Sequence, residues 1–165
     1  MRIAYAGRAP LRVWLMACVL SVLPDADAAL HRAGVPYSHP FGHRGFAHSL
    51  FFAALAAALS ARGLFQERRW RIWLFLFAVG VSHGVLDAVT DGGLGIAFFA
   101  PFDNTRYFLP WRPLVVAPIG VRSFFSEWGV DVLRSEIVHV WLPLCGLLLV
   151  VEAVRWRRKA AARVS

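Results

Sequence analysis

Three short polar motifs interrupt an otherwise apolar chain, and they hold the side chains able to do chemistry. Leu23–Asp27 reads LPDAD, residues 42–49 read GHRGFAHS, and residues 82–93 read SHGVLDAVTDGG. In the third motif His83, Asp87, Thr90 and Asp91 fall at i, i+4, i+7 and i+8, the spacing of one helix face. A His and an Asp one turn apart can share a metal ion, with ligand distances of roughly 2.0–2.2 Å for zinc. Taken alone, the pair reads equally well as a buried His–carboxylate contact that locks two helices. In the second motif His43 and His48 lie at a helix entrance, where Gly42 and Gly45 let the backbone bend. The plainer alternative makes His43 a cap and His48 a satisfied interface residue. Asp25 and Asp27 follow Pro24, and a solvated turn or a helix cap would explain them as well.

Together the motifs point further than any one does. Asp25, His43, His48, His83 and Asp87 are the ligand inventory of a hydrolytic metal site with one to three ions. Zinc is the natural divalent ion for mixed His and Asp ligands, with manganese and iron as alternatives. Such ions bring the pKa of water towards 7 and clamp phosphoryl or carbonyl oxygens. Asp27 or Asp91 is expected to accept the water's proton. Glu136, three residues before His139, is a further candidate ligand or base, whereas His31 and His39 suit solvated loop positions. Arg44, Arg106 and Arg112 could grip phosphate oxygens with forked hydrogen bonds, and structural roles would suit them equally.

The elements that must position these groups are membrane spans. Of the 165 residues, 58% are hydrophobic and 17% charged, and the mean hydropathy is +0.55, more apolar than a soluble domain. The expected fold is all-α: one multi-pass domain over 1–165, with about four transmembrane helices near 3–23, 46–61, 72–90 and 137–154. The first apolar run, 11–23, is short for a span and is extended back to Ile3; no small-residue cleavage site follows it. Pro143 should kink the last span. His83 would lie two turns inside its span, roughly 10 Å below the end, and ionisable groups at such depth face a bundle interior or a water-filled cavity. Residues 91–136, aromatic and rich in proline, are read as an ordered interfacial loop capping the bundle. Cys18 and Cys145 fit as small core hydrophobes.

The net charge of +8 comes almost wholly from arginine. These residues sit in short flanks between apolar runs, so the partner expected is the lipid bilayer and not nucleic acid. Twelve of the eighteen basic residues fall at the N-terminus, between spans two and three, and after span four. The positive-inside rule then puts both termini in the cytoplasm and the three motifs on the outward face.

At those three motifs the chain resembles the YdjM-like family of bacterial inner-membrane proteins, described as metal-dependent hydrolases. The resemblance covers roughly residues 15–155. GHRG-x-x-HS is its specific element, and FFAPFDNTRYFLPWRP (residues 98–113) resembles a loop of one branch. Through that family the chain is distantly similar to zinc-dependent phospholipase C and P1 nuclease. This similarity implies phosphoester hydrolysis, with ligand roles for His83 and Asp87 (H-x-x-x-D), for Asp25, and for His43 and His48. Family members usually carry a further His before the first apolar run. Here the first His is His31, which implies a start placed too late or a site one ligand short.

Three functions follow. The leading one is a membrane-bound hydrolase of a phosphoester such as a phospholipid head group. The second is a non-catalytic membrane protein with a structural metal site, which a closed four-ligand site would favour. A transporter comes last, because only the third span carries a deep acid–base pair and no repeat is visible.

Overall fold

The computed structural model describes residues 10–162. The expected start of the first span at Ile3, and the flanking Arg2, Arg8 and Arg163, lie outside the described residues. The chain divides into two compact units, Met1–Arg112 and Pro113–Ser165. Every described regular element is helical, apart from one isolated bridge between Ile96 and Tyr107.

In the first unit α1 (Leu11–Val22) ends where Pro24, lacking a backbone N–H, tightens the chain into a 3₁₀ turn at Leu23–Asp27. A short α2 (Ala28–Arg32) follows. Helix α3 (Leu50–Leu64) begins at Ser49, whose hydroxyl accepts the Phe52 N–H at 3.0 Å. Helix α4 (Arg69–Ala88) returns alongside it. Val13, Ala17 and Leu20 of α1 meet Ala57 and Ala61 of α3 and Ile72 and Leu76 of α4 in the buried core, with Phe65 beside them. Small alanines bring α3 close to its neighbours, and the Trp73 indole N–H reaches the Ala54 carbonyl at 3.0 Å. The Arg12 guanidinium stacks over the Phe65 ring at 5.0 Å at the end of this unit remote from the three motifs.

Three helical stretches are long and apolar enough to cross a bilayer: Leu11–Arg32, Arg69–Ala88 and Glu127–Ala161. The fourth apolar segment, α3, has 15 residues. It is shorter because the Ser49 cap leaves Phe46–His48 to a 3₁₀ turn, where the apolar pattern alone had suggested helix. Cys18 and Cys145 both lie exposed on apolar helices, on faces suited to lipid and not in a core.

The second unit corrects the extent of the long loop. Only its first part is irregular; α5 (Val121–Phe124) and α6 (Glu127–Glu136) occupy the rest. The preceding strand of chain is held to α6 by Val115 N–H on Ser135 Oγ at 3.0 Å and the Trp128 indole on Val116 O at 2.8 Å. A π-turn, Ile137–Trp141, leads into α7 (Leu142–Ala161). It falls just ahead of Pro143, so the backbone accommodates the proline by widening one turn.

Candidate metal centre

The three motifs meet at one end of the first unit. Pro24 sets the 3₁₀ turn that carries Asp25 and Asp27. Residues 36–48 fold back through successive turns: Gly42 N–H reaches His39 O at 2.8 Å, Phe46 N–H reaches Pro40 O at 2.8 Å, and His48 N–H reaches Gly45 O at 3.0 Å. A Cβ at Gly45 would lie 2.2 Å from Pro40 O, and one at Gly42 would lie 2.3 Å from Pro36 O. Both glycines are therefore required by close backbone approach, more than by bending. Gly84 admits the 3₁₀ turn beside α4, since a Cβ there would lie 3.2 Å from His48 O.

Four ligand-type side chains converge: Asp25, His48, His83 and Asp87 each offer one atom, and these atoms lie within 4.8 Å of one another. The two imidazoles face each other Nε2 to Nε2 at 3.2 Å. His48 Nε2 lies 3.6 Å from Asp25 Oδ1 and 3.3 Å from Asp87 Oδ2. His83 Nε2 lies 3.4 Å from Asp25 Oδ1 and 3.5 Å from Asp87 Oδ2. A tetrahedral ion with ligands at roughly 2.0–2.2 Å needs ligand–ligand edges of about 3.3–3.6 Å. The separations match that figure.

Proton positions sharpen the fit. His83 Nδ1–H donates to Ser21 O at 2.8 Å, which leaves the lone pair on Nε2. His48 Nδ1 lies 3.1 Å from Asp27 Oδ2. It is off the hydrogen-bonding line, since this nitrogen has no aligned partner, but the carboxylate still favours the proton on that side. Two lone pairs therefore confront each other, and beside them Asp87 Oδ2 is buried with no hydrogen-bond donor. Such an arrangement could hold a metal ion at its centre. His48 is wholly buried, whereas the Asp25 side chain is 54% exposed, so the centre opens to the outside at Asp25.

The other expected site residues surround this centre or lie elsewhere. His43 is not in the four-membered group; its Nδ1–H donates to Asp27 Oδ1 at 2.6 Å. Asp27, expected as a proton acceptor, has its second oxygen taken by the Arg44 N–H at 3.2 Å. Arg44, expected on phosphate, donates from Nη2 to Asp87 Oδ1 at 2.7 Å and from Nη1 to Thr90 Oγ1 and Gly92 O at 3.0 Å each. Its Nε is buried without a partner. Arg106 is likewise committed to protein: Nη1 donates to His43 O at 2.9 Å, and Nη2 to Tyr37 O at 2.9 Å and His39 O at 3.2 Å. Burial pulls the Arg106 pKa below its usual value and raises that of the Tyr37 phenol, over whose ring the guanidinium lies at 5.6 Å. Arg112 is exposed, stacked over the Phe108 ring at 4.7 Å.

Asp91 is exposed just past α4, outside both His/Asp groups among the described residues. Glu136 belongs to the second unit and to neither group, and His139 donates to Ser135 O of its own helix at 3.0 Å. His31 pairs with Val35 O at 3.2 Å, and His39 accepts the Phe41 N–H at 3.1 Å.

Residues 92–112 are hydrogen-bonded across this end of the unit. Ala97 N–H reaches Arg44 O at 3.2 Å, Leu50 N–H reaches Phe98 O at 2.9 Å and Leu109 N–H reaches Ala88 O at 2.9 Å. Phe41, Phe99, Phe102, Tyr107 and Trp111 are exposed around it, and such rings favour the interfacial layer of a bilayer.

A family model described as "YdjM inner membrane protein" matches residues 2–159. Inner membrane protein YbcI of Escherichia coli (strain K12) is 40% identical over 156 residues, covering 91% of this chain and 87% of that relative. No solved structure matches the chain. With a match along nearly its whole length and apolar helices fit to span a bilayer, the chain belongs to the YdjM family of bacterial inner-membrane proteins.

Proposed function

We propose that this protein is a membrane-bound, metal-dependent hydrolase of a phosphoester, such as a phospholipid head group, with Asp25, His48, His83 and Asp87 holding a divalent ion for which zinc is the natural fit. One observation carries the reading: the two imidazole Nε2 atoms and a donorless carboxylate oxygen face one another at 3.2–3.5 Å. When bound, such an ion acidifies a water and draws electron density from a phosphoryl group.

The chain's own groups supply the rest. The Ser21 carbonyl fixes the tautomer of His83, and the Asp27 carboxylate beside Nδ1 favours a proton on that side of His48. The half-exposed side of Asp25 is where a phosphoester would approach. Asp91 is exposed at the end of α4 and better placed than the enclosed Asp27 to exchange a proton with solvent. Of the three arginines read from the sequence as phosphate anchors, Arg112 fits best, because its guanidinium is exposed on an aromatic ring. The exposed aromatic rings beside the centre suit a substrate that sits in the bilayer interface. Basic flanks at the opposite end support a site on the outward, periplasmic face, with both termini cytoplasmic.

A structural metal site is the second reading, favoured by four protein side chains that already complete a tetrahedral set. Metal analysis of the purified protein beside His83→Ala and Asp87→Ala, with phosphodiesterase and phospholipase assays on each, separates the readings. The hydrolase should bind metal and cut phosphoester, and each variant should lose at least 100-fold in metal affinity and activity together. Equal metal loading in all three proteins would refute the site. Firm metal binding with no hydrolysis across a broad substrate panel would establish the structural role instead.

A further inference from the structure

We infer that the centre takes one divalent ion per chain, with Asp27 and Arg44 as its positioning residues and not as the ligand of a second ion and the anchor of a phosphate. This rests on the metal reading above and deepens it.

Two His/Asp groups offer themselves for ions: Asp25, His48, His83 and Asp87, and Asp27, His43 and His48. They share His48. The first approaches its Nε2, the second its Nδ1. A neutral imidazole has only one nitrogen with a free lone pair, so serving both groups would require stripping the ring of both protons. Asp27 and His43 are moreover bonded to each other at 2.6 Å. That contact needs a proton between them, and an ion there would have to expel it.

Charge points the same way. The contact network contains three carboxylates, Asp25, Asp27 and Asp87, and one guanidinium, Arg44. With the imidazoles neutral, one divalent ion brings it to neutrality. A second would leave two surplus positive charges among side chains that, apart from Asp25, are largely shut off from water, a costly arrangement.

Arg44 then has a defined task. Its Nη2 holds Asp87 Oδ1 at 2.7 Å, which leaves Oδ2 as the oxygen turned to the two imidazoles. Its Nη1 is fixed by Thr90 and Gly92, its N–H by Asp27, and its carbonyl by Ala97. One residue thus ties all three motifs and the closing loop together. It does so from a left-handed backbone, φ 63°, a conformation that a non-glycine residue adopts only at a cost. The Arg44 side chain is only 4% exposed, which leaves no open face for phosphate.

The test uses the full chain purified in detergent, zinc counted by elemental analysis, and affinity measured by chelator competition. The wild type should hold one zinc per chain. Asp27→Asn and Arg44→Gln should also hold one, bound 10–100-fold more weakly, and Arg44→Lys should recover part of that loss. Thr90→Val, a near-isosteric change that removes one acceptor of Arg44, should weaken zinc a few-fold while keeping the helix content. Two zinc ions in the wild type, one of them lost in Asp27→Asn, would overturn the inference. So would undiminished affinity in Arg44→Gln and Thr90→Val. A wild type that binds no zinc at all would instead sink the metal reading itself, and this inference with it.

Discussion

Arg106 shows how a residue type can be read correctly and its partner missed. A guanidinium in a loop beside a His/Asp motif suits phosphate, but here its N–H groups meet the carbonyls of Tyr37, His39 and His43. Those carbonyls belong to the turns that deliver His48. Arg106→Ala should therefore act on stability before it acts on substrate. It leaves the Tyr37 and His43 carbonyls without their Arg106 donor, while the His39 carbonyl keeps the Gly42 N–H, and water can replace only the exposed part of the lost bonds. The expected loss is about 1–2 kcal/mol, read as a melting temperature lowered by a few degrees in detergent. A variant with normal melting and only a raised KM would restore Arg106 to the phosphate role. Although His83 and Asp87 alone read equally well as a contact locking two helices, the grouping of Asp25, His48, His83 and Asp87 was legible from three polar motifs interrupting an apolar chain. The commitments of Arg44 and Arg106 were not, because their acceptors lie more than 40 positions away in sequence for Arg44 and more than 60 for Arg106.

At the scale of elements, continuous apolar runs located α1, α3, α4 and α7, and local chemistry moved their ends. The run beginning at Phe46 is apolar enough to be helix, but Ser49 captures the Phe52 N–H and starts α3 four residues later. That shift puts His48 in a turn whose carbonyl lies against α4. Helix α6 was hidden inside a segment rich in glycine and proline. The signal available was Ser126–Glu127 at its start, with Gly129, Val132 and Ser135 buried along one side. The GHRG turn invites a sharper test. Gly45→Ala places a methyl group 2.2 Å from Pro40 O and 2.8 Å from Gly42 O. Both obstacles are backbone atoms, so the turn itself must shift, at a cost of about 2 kcal/mol or more. Gly63→Ala, where a Cβ meets nothing within 4 Å, should be neutral or stabilising by up to ~1 kcal/mol. Thermal unfolding of the two variants side by side checks this, and equal melting would mean that the close approach at Gly45 is unimportant.

For the whole molecule, charge and fold argue jointly for orientation. Within the first unit α1 starts, α3 ends and α4 starts at the end that carries Arg12, Arg62, Arg68, Arg69 and Arg71. The His/Asp centre lies at the other end. The arginine count needed no knowledge of the centre, and the packing of α1, α3 and α4 needed none of the arginine count, so their agreement is meaningful. It predicts the side from which each end can be reached. In a background with Cys18 and Cys145 replaced by alanine, a cysteine at exposed Thr105 should react with a membrane-impermeant maleimide in intact spheroplasts. A cysteine at exposed Gln66 should react only after the membrane is opened. Thr105 belongs to the loop that closes the centre and Gln66 to the turn between α3 and α4, so the pair reports the two ends of one helical unit. The reverse pattern would put the centre in the cytoplasm. A phosphoester substrate would then have to come from the inner leaflet, and the positive-inside argument would fail for this chain.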